Sequence, residues 1–213
     1  MIARVILAPD LHDRLIADAA AAFPCECCGL IEGVREIPPP LAGEVLSRPQ
    51  AGRGGGGQID ACMWGHEVRA LAVHPTHNLA MRPDRFEIDP AAHIALLRRL
   101  RGTGRDIVGC YHSHPNGAAG LSDWDRDGAF DEDFLWLVIA VTASGPIPGR
   151  HWERAHPCAS QRIPALHRPM TPEDGRAPGK SSPHANQAFE AKLAAFVFDA
   201  DGPRGLPICA AAP

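Results

Sequence analysis

The stretch GCYHSHPNGAAGLSDWDRDG, residues 109–128, carries two histidines one residue apart, then a serine and three alternating aspartates closed by a glycine. The segment DIVGCYH that leads into it reads as a strand, and in a strand residues i and i+2 point to the same face. His112 and His114 therefore present two imidazoles side by side, a spacing suited to one metal ion. Pro115 stops the strand and sends the chain into a loop rich in Gly and Ala. That loop ends at Ser122, where SDWD matches the S-x-x-D pattern of a helix N-terminus and places Asp125 in the first turn. Taken alone, Ser122 reads as a cap and Asp125 as a carboxylate facing the positive end of the helix dipole.

Calcium is the competing reading. DWDRDG fits the opening of an EF-hand loop, with Asp123, Asp125, Asp127 and Gly128 at its first, third, fifth and sixth positions. The twelfth position should supply a bidentate glutamate, and Phe134 stands there instead. Phe134 also opens an apparent strand where the motif needs a helix. The calcium module fails on both counts.

Outward from this stretch, strands and helices alternate. ARVILA (3–8) predicts a strand, and PDLHDRLIADAAAAF a helix with Leu11, Leu15, Ala19 and Ala22 on one face, ended by Pro24. CCGLIEG (27–33) and VRALAV (68–73) predict strands, separated by a linker or loop over 35–61 that contains PPP and RGGGG. IDPAAHIALLRRLRG is a helix capped by Asp89, opened by Pro90 and closed by Gly102, with Ile94, Leu97 and Leu100 or Arg101 setting its spacing. FLWLVIAV (134–141) is apolar on both faces and predicts a central strand. The interleaving defines an α/β domain over residues 1–156. Residues 157–213 read as a Pro-rich, largely disordered tail with one possible helix at 187–200; eleven of the 21 prolines lie beyond residue 145.

Hydrophobic content of 45% and charged content of 22% fit a soluble globular protein, and a net charge of -4 argues against nucleic acid as a partner. The longest apolar run is strand length, so no membrane span is expected. MIARVILAPDLHDRL lacks the apolar core of a signal peptide. Seven cysteines, scattered apart from CECC at 25–28, suit a reducing cytoplasm better than an oxidised scaffold.

Several other residues invite chemistry and are set aside. Cys25, Cys27 and Cys28 lack a second cysteine pair at zinc-ligand spacing, and Cys28 is expected to be packed. His74 and His77 flank a strand end, suited to a solvent or loop role. Cys110 with His112 would make a poor nucleophile pair, since the metal reading occupies His112. RGGGGQ (53–58) lacks the Gly-Lys-Ser/Thr ending of a phosphate loop.

His112, Ser113, His114 and Pro115, followed by Ser122 and Asp125, resemble the H-x-H-P…S-x-x-D signature of JAMM (MPN+) metallopeptidases, with the family's ten residues between His114 and Asp125. PCECCGLIEG resembles the family's upstream glutamate ahead of a Cys-Gly strand, with Glu26 in place. NLAMRPDRFEIDP (78–90) resembles the asparagine and F-x-I-D-P stretch of short bacterial members. The resemblance covers roughly residues 3–142. It implies an α/β MPN (JAMM) fold, cytidine-deaminase-like, in which a mixed, curved β-sheet is flanked by helices.

It further implies one zinc ion per chain held by His112, His114 and Asp125, with a fourth tetrahedral position left open. Glu26 would be the acid/base and Ser122 the donor to the developing oxyanion. The reaction implied is hydrolysis of peptide or isopeptide bonds after the C-terminal Gly-Gly of a ubiquitin-like or sulfur-carrier protein. The alternative is a non-catalytic MPN scaffold, a class that generally lacks one or more of these ligands.

Overall fold

The computed structural model describes residues 1–36, 66–80, 82–129, 133–144 and 188–211. Eleven elements follow one another: β1 (Ile2–Leu7), α1 (Pro9–Ala22), β2 (Cys28–Glu36), β3 (His66–Thr76), α2 (Pro90–Leu100), β4 (Asp106–His114), α3 (Asp123–Asp127), β5 (Leu135–Ser144), β6 (Ala188–Asp199), β7 (Gly202–Leu206) and β8 (Ile208–Ala210). The eight strands form one sheet in the order β7-β6-β5-β4-β2-β3-β1-β8. It is mixed: β1 runs parallel to β3 and β8, and β4 parallel to β5, while the other pairs are antiparallel. The glycine-rich stretch and most of the expected linker lie outside the described residues.

The sheet curls nearly into a barrel, and the reason is connectivity. Only Pro207 separates β7 from β8, yet the two stand at opposite ends of the strand order. Arg204 Nη2 donates to the Ile2 carbonyl at 2.7 Å, tying β7 to β1, and Val5 N donates to Pro207 O at 3.0 Å. This closure answers the problem of bare edge strands, each of which would expose unpaired backbone groups.

The expected helix at 187–200 is strand β6. Phe189, Ala191, Leu193, Ala195 and Val197 alternate onto the main core, while Phe196 and Phe198 pack on the opposite face. That is period 2, not 3.6. The run of Ala, Glu and Lys has helix propensity, but β5 needs a partner along its full length, and tertiary pairing decides. The described part of the expected tail is therefore built into the sheet.

The central-strand expectation for β5 holds: Leu135 through Val141 are all buried, on both faces. In α1, Leu11, Leu15, Ala19 and Ala22 face the core. In α2, Asp89 accepts from Ala91 N at 2.8 Å and Pro90 opens the helix, but the buried face is Leu96 and Leu100, leaving Ile94 and Leu97 exposed. The expected spacing caught the helix and Leu100 but not Leu96, because Leu96 shares its turn with Leu97 and only packing against Leu30 and Ile107 selects between them. No helix among the described residues is long and apolar enough to cross a membrane.

A polar link helps hold α1 to the sheet. Tyr111, fully buried, crosses over Gly29 and donates its hydroxyl to Asp18 Oδ2 at 2.8 Å. A Cβ on Gly29 would overlap the Tyr111 ring and the His74 carbonyl, so only glycine permits the crossing. Tyr111→Phe strands the half-buried Asp18 carboxyl without this donor. We expect a loss of about 1–3 kcal/mol in denaturant unfolding, with an unchanged m-value. A variant as stable as wild type would refute the pinning role.

Candidate metal centre

Strand parity and register assemble the site. Along β4, Tyr111 and Ser113 face the α1 core, while Cys110, His112 and His114 face the other way. Antiparallel pairing sets Cys28 opposite His112, so two residues upstream of Cys28 the chain brings Glu26 abreast of His114. Two hydrogen bonds extend the ladder to that point, Ser113 N to Cys27 O at 3.1 Å and Cys27 N to Ser113 Oγ at 2.8 Å. Asp125 arrives from α3 across the loop. Ser122 N and Ser122 Oγ each donate to Asp125 Oδ2 at 2.7 Å, and Asp125 N donates back to Ser122 Oγ at 3.2 Å. This capping box fixes the carboxylate, so the cap expected of S-x-x-D is also what aims Asp125.

The donor atoms converge. His112 Nε2 and His114 Nε2 lie 3.0 Å apart, and each is 3.4 Å from Asp125 Oδ2. All three residues are buried, with His112 at 0% exposure. Among the described residues this group can hold a metal ion. The donor chemistry fits one. His114 Nδ1 faces the Ala118 carbonyl at 2.9 Å; a carbonyl only accepts, so Nδ1 carries the proton and Nε2 turns its lone pair inward. Burial holds His112 below the ordinary histidine value, and the two imidazoles with Ser122 hold Asp125 ionised against its burial, well below the carboxylate range. Two ring nitrogens, each a ligand in its neutral form, and one carboxylate oxygen form a cluster that a borderline divalent cation suits.

Glu26 stands just outside this triad, with Oε1 4.0 Å from His114 Nε2. Its exposure is 5%. Burial pushes its carboxyl up to about 8; His114 opposes the shift, and the Asp125 and Asp84 charges add to it. A carboxyl that exchanges its proton near neutral pH can serve as both acceptor and donor.

Residues that the sequence did not single out individually complete the walls. Phe86 stacks on His112, with centroids 4.3 Å apart and 16° between planes. Trp136 meets the same ring edge-on at 6.1 Å. Arg85 lies 3.9 Å over the exposed Trp124 ring. Phe86 and Arg85 belong to the 78–90 stretch, so its likeness to a family segment was the signal. Their contacts were not readable from spacing, because they are made across loops.

The set-aside residues have other places. His74 is not a solvent residue: its Nε2 is 2.9 Å from Oε2 of buried Glu32, which also accepts from Arg105 at 2.8 Å. Pairing with a carboxylate across the β2–β3 ladder is what draws it inward. Cys28 is packed, as expected, and burial raises the Cys110 thiol far above its ordinary value, which removes it as a nucleophile. Cys27, Cys28, Cys110 and Cys209 are free, and Cys25 is disulfide-bonded. Asp123 and Asp127 are exposed.

A curved mixed sheet with two histidines at the end of one strand and an aspartate from the following short helix defines a JAB/MPN domain, and the sequence comparison agrees. The chain belongs to the prokaryotic homologs of the JAB domain, whose family model matches residues 8–155. It is a short JAMM/MPN-type member. A desampylase of Haloferax volcanii is 28% identical over 154 residues, covering 70% of this chain and 88% of that protein. The solution structure of a protein from Desulfitobacterium hafniense shares the fold at a TM-score of 0.56 and 20% identity, covering 98% of this chain and 94% of that one.

Proposed function

We propose that the chain is a zinc metallopeptidase that hydrolyses peptide or isopeptide bonds after the C-terminal Gly-Gly of a ubiquitin-like or sulfur-carrier protein. The observation that carries this reading is the convergence of His112, His114 and Asp125 with Glu26 beside them, buried together at one strand end. A scaffold has no use for this arrangement, since burying two carboxylates and two imidazoles costs several kcal/mol unless a cation compensates. Membership of the JAB family and similarity to a desampylase support the substrate class.

In this reading His112, His114 and Asp125 hold the ion. Zinc, when bound, supplies Lewis acidity, polarising a carbonyl and letting water ionise near neutral pH. Glu26 takes a proton from the water that attacks the scissile carbonyl and delivers one to the departing amine. Ser122, exposed at the α3 N-terminus, donates to the carbonyl oxygen as charge develops there; to do so its hydroxyl turns from Asp125 Oδ2, where backbone Ser122 N remains as a donor.

Metal content is the direct test. We expect about one zinc per chain in the native protein and a near-complete loss in His112→Ala or His114→Ala, measured by plasma mass spectrometry after gel filtration. Full retention in both variants would place the metal elsewhere. Substrate is tested by incubating the zinc-loaded protein with carrier proteins extended beyond Gly-Gly and following intact mass. Cleavage directly after Gly-Gly supports the proposal, and uncut extensions across the panel would refute the substrate class.

A further inference from the structure

The loop between β3 and α2 returns on itself: Asn78 and Ile88 form an isolated antiparallel bridge, and Leu79 N donates to Glu87 O at 2.9 Å. Within it the Asn78 side chain makes four hydrogen bonds. Its Nδ2 donates to the carbonyl oxygens of Glu26 and Arg85, each at 3.0 Å. Its Oδ1 accepts from Ala80 N at 2.9 Å and from Glu87 N at 3.0 Å. Two carbonyl partners and two N–H partners admit only this orientation of the amide, and they use both N–H donors and both oxygen lone pairs.

Three of these bonds stay inside the loop, and the fourth leaves it. The Glu26 carbonyl belongs to a segment 52 residues away in sequence. Glu26 N also reaches this loop, donating to Pro83 O at 3.2 Å. The Glu26 main chain is thus held by the loop at both its N–H and its C=O. The same loop carries Phe86, stacked on His112, and Arg85, seated over Trp124 beside Asp125. One side-chain amide therefore joins the backbone of Glu26 to the wall against which His112 rests.

We propose that Asn78 is a positioning residue for hydrolysis, fixing the Glu26 main chain so that its carboxyl stays beside His114. The role rests on the assignment of Glu26 as acid/base made above. It acts on Glu26 and not on metal binding, because His112, His114 and Asp125 are held by β4 and α3.

The two halves of the amide can be separated. Asn78→Asp keeps an acceptor for Ala80 N and Glu87 N but removes both donors, so the loop retains two of its three internal bonds while the bond to Arg85 O and the link to Glu26 are lost. Asn78→Ala removes everything. The zinc-loaded variants are assayed for kcat and KM on an extended carrier protein, for metal content, and for backbone amide exchange. We expect both to keep about one zinc per chain, to lose kcat by about 10- to 100-fold and to hold KM within about threefold. Exchange at the Glu26 amide should rise about tenfold or more in both, while Ala80 and Glu87 should exchange faster only in Asn78→Ala.

A role confined to loop shape predicts that Asn78→Asp recovers activity; kcat within about twofold of wild type in that variant would overturn the proposal. Loss of zinc in step with kcat would overturn it too. Glu26→Gln, run alongside, separates the two levels. If it cleaves like wild type, the acid/base assignment fails and this role of Asn78 fails with it; if it is inactive while Asn78→Asp is fully active, only the positioning role fails.

Discussion

Glu26→Gln should lower kcat by about 10³-fold while the protein still binds its full complement of zinc. The geometry separates the two functions. The atoms that can hold the ion lie within 3.4 Å of one another, whereas Glu26 Oε1 approaches only His114, at 4.0 Å. Glutamine also matches the protonated carboxyl that burial favours in the metal-free protein, so folding should be unaffected and thermal melting should stay within a few degrees. What glutamine cannot do is accept a proton. Cleavage of an extended carrier protein, followed by intact mass beside a zinc assay, checks both halves. Wild-type turnover in this variant would remove Glu26 from the chemistry, and lost zinc would make it a ligand instead.

The second large effect concerns residues that read as an appendage. Deleting 188–213 should abolish the cooperative melting transition and leave aggregated chain on gel filtration. β6 pairs with β5 from Ala188 to Phe196, and with it come Leu193, Ala195 and Val197 on one core face and Phe196 and Phe198 on the other. Full burial of a large apolar side chain contributes about 1.5–3 kcal/mol, so losing this set, part of it only half-buried, removes an amount comparable to the 5–15 kcal/mol by which a domain is typically stable. The deletion also bares the backbone of β5, an apolar strand built for the middle of a sheet. A truncated protein with a sharp transition near the wild-type temperature would show that the chain folds without β6, β7 and β8.

How far the sequence carried the reading depends on whether the deciding signal was local. His112 and His114 share a strand face by parity, and Ser122 and Asp125 share a capping box by spacing, so both could be read from a few residues. Glu26 is 88 positions from His114 and has nothing local to mark it; only its likeness to a family element placed it. The face of α2 is only partly legible: Leu100 is buried as expected, but Ile94 and Leu97 satisfy the same period as Leu96, and the choice is made by β2 and β4. β6 was misread for the converse reason. Alanine, glutamate and lysine favour a helix in isolation, and the alternation beneath them gains meaning only against the open side of β5. Phe86 and Asn78 act through loop contacts that no periodicity encodes.

The seam between β1 and β8 also has a consequence for biosynthesis. Arg204, just before β8, and Ile2 are joined across 202 positions, so the strand translated early must wait for β8 to emerge before its outer side is covered. Until β8 arrives, residues 2–7 present a row of unmatched peptide groups, the setting in which chaperone capture and slow, topology-limited maturation are expected.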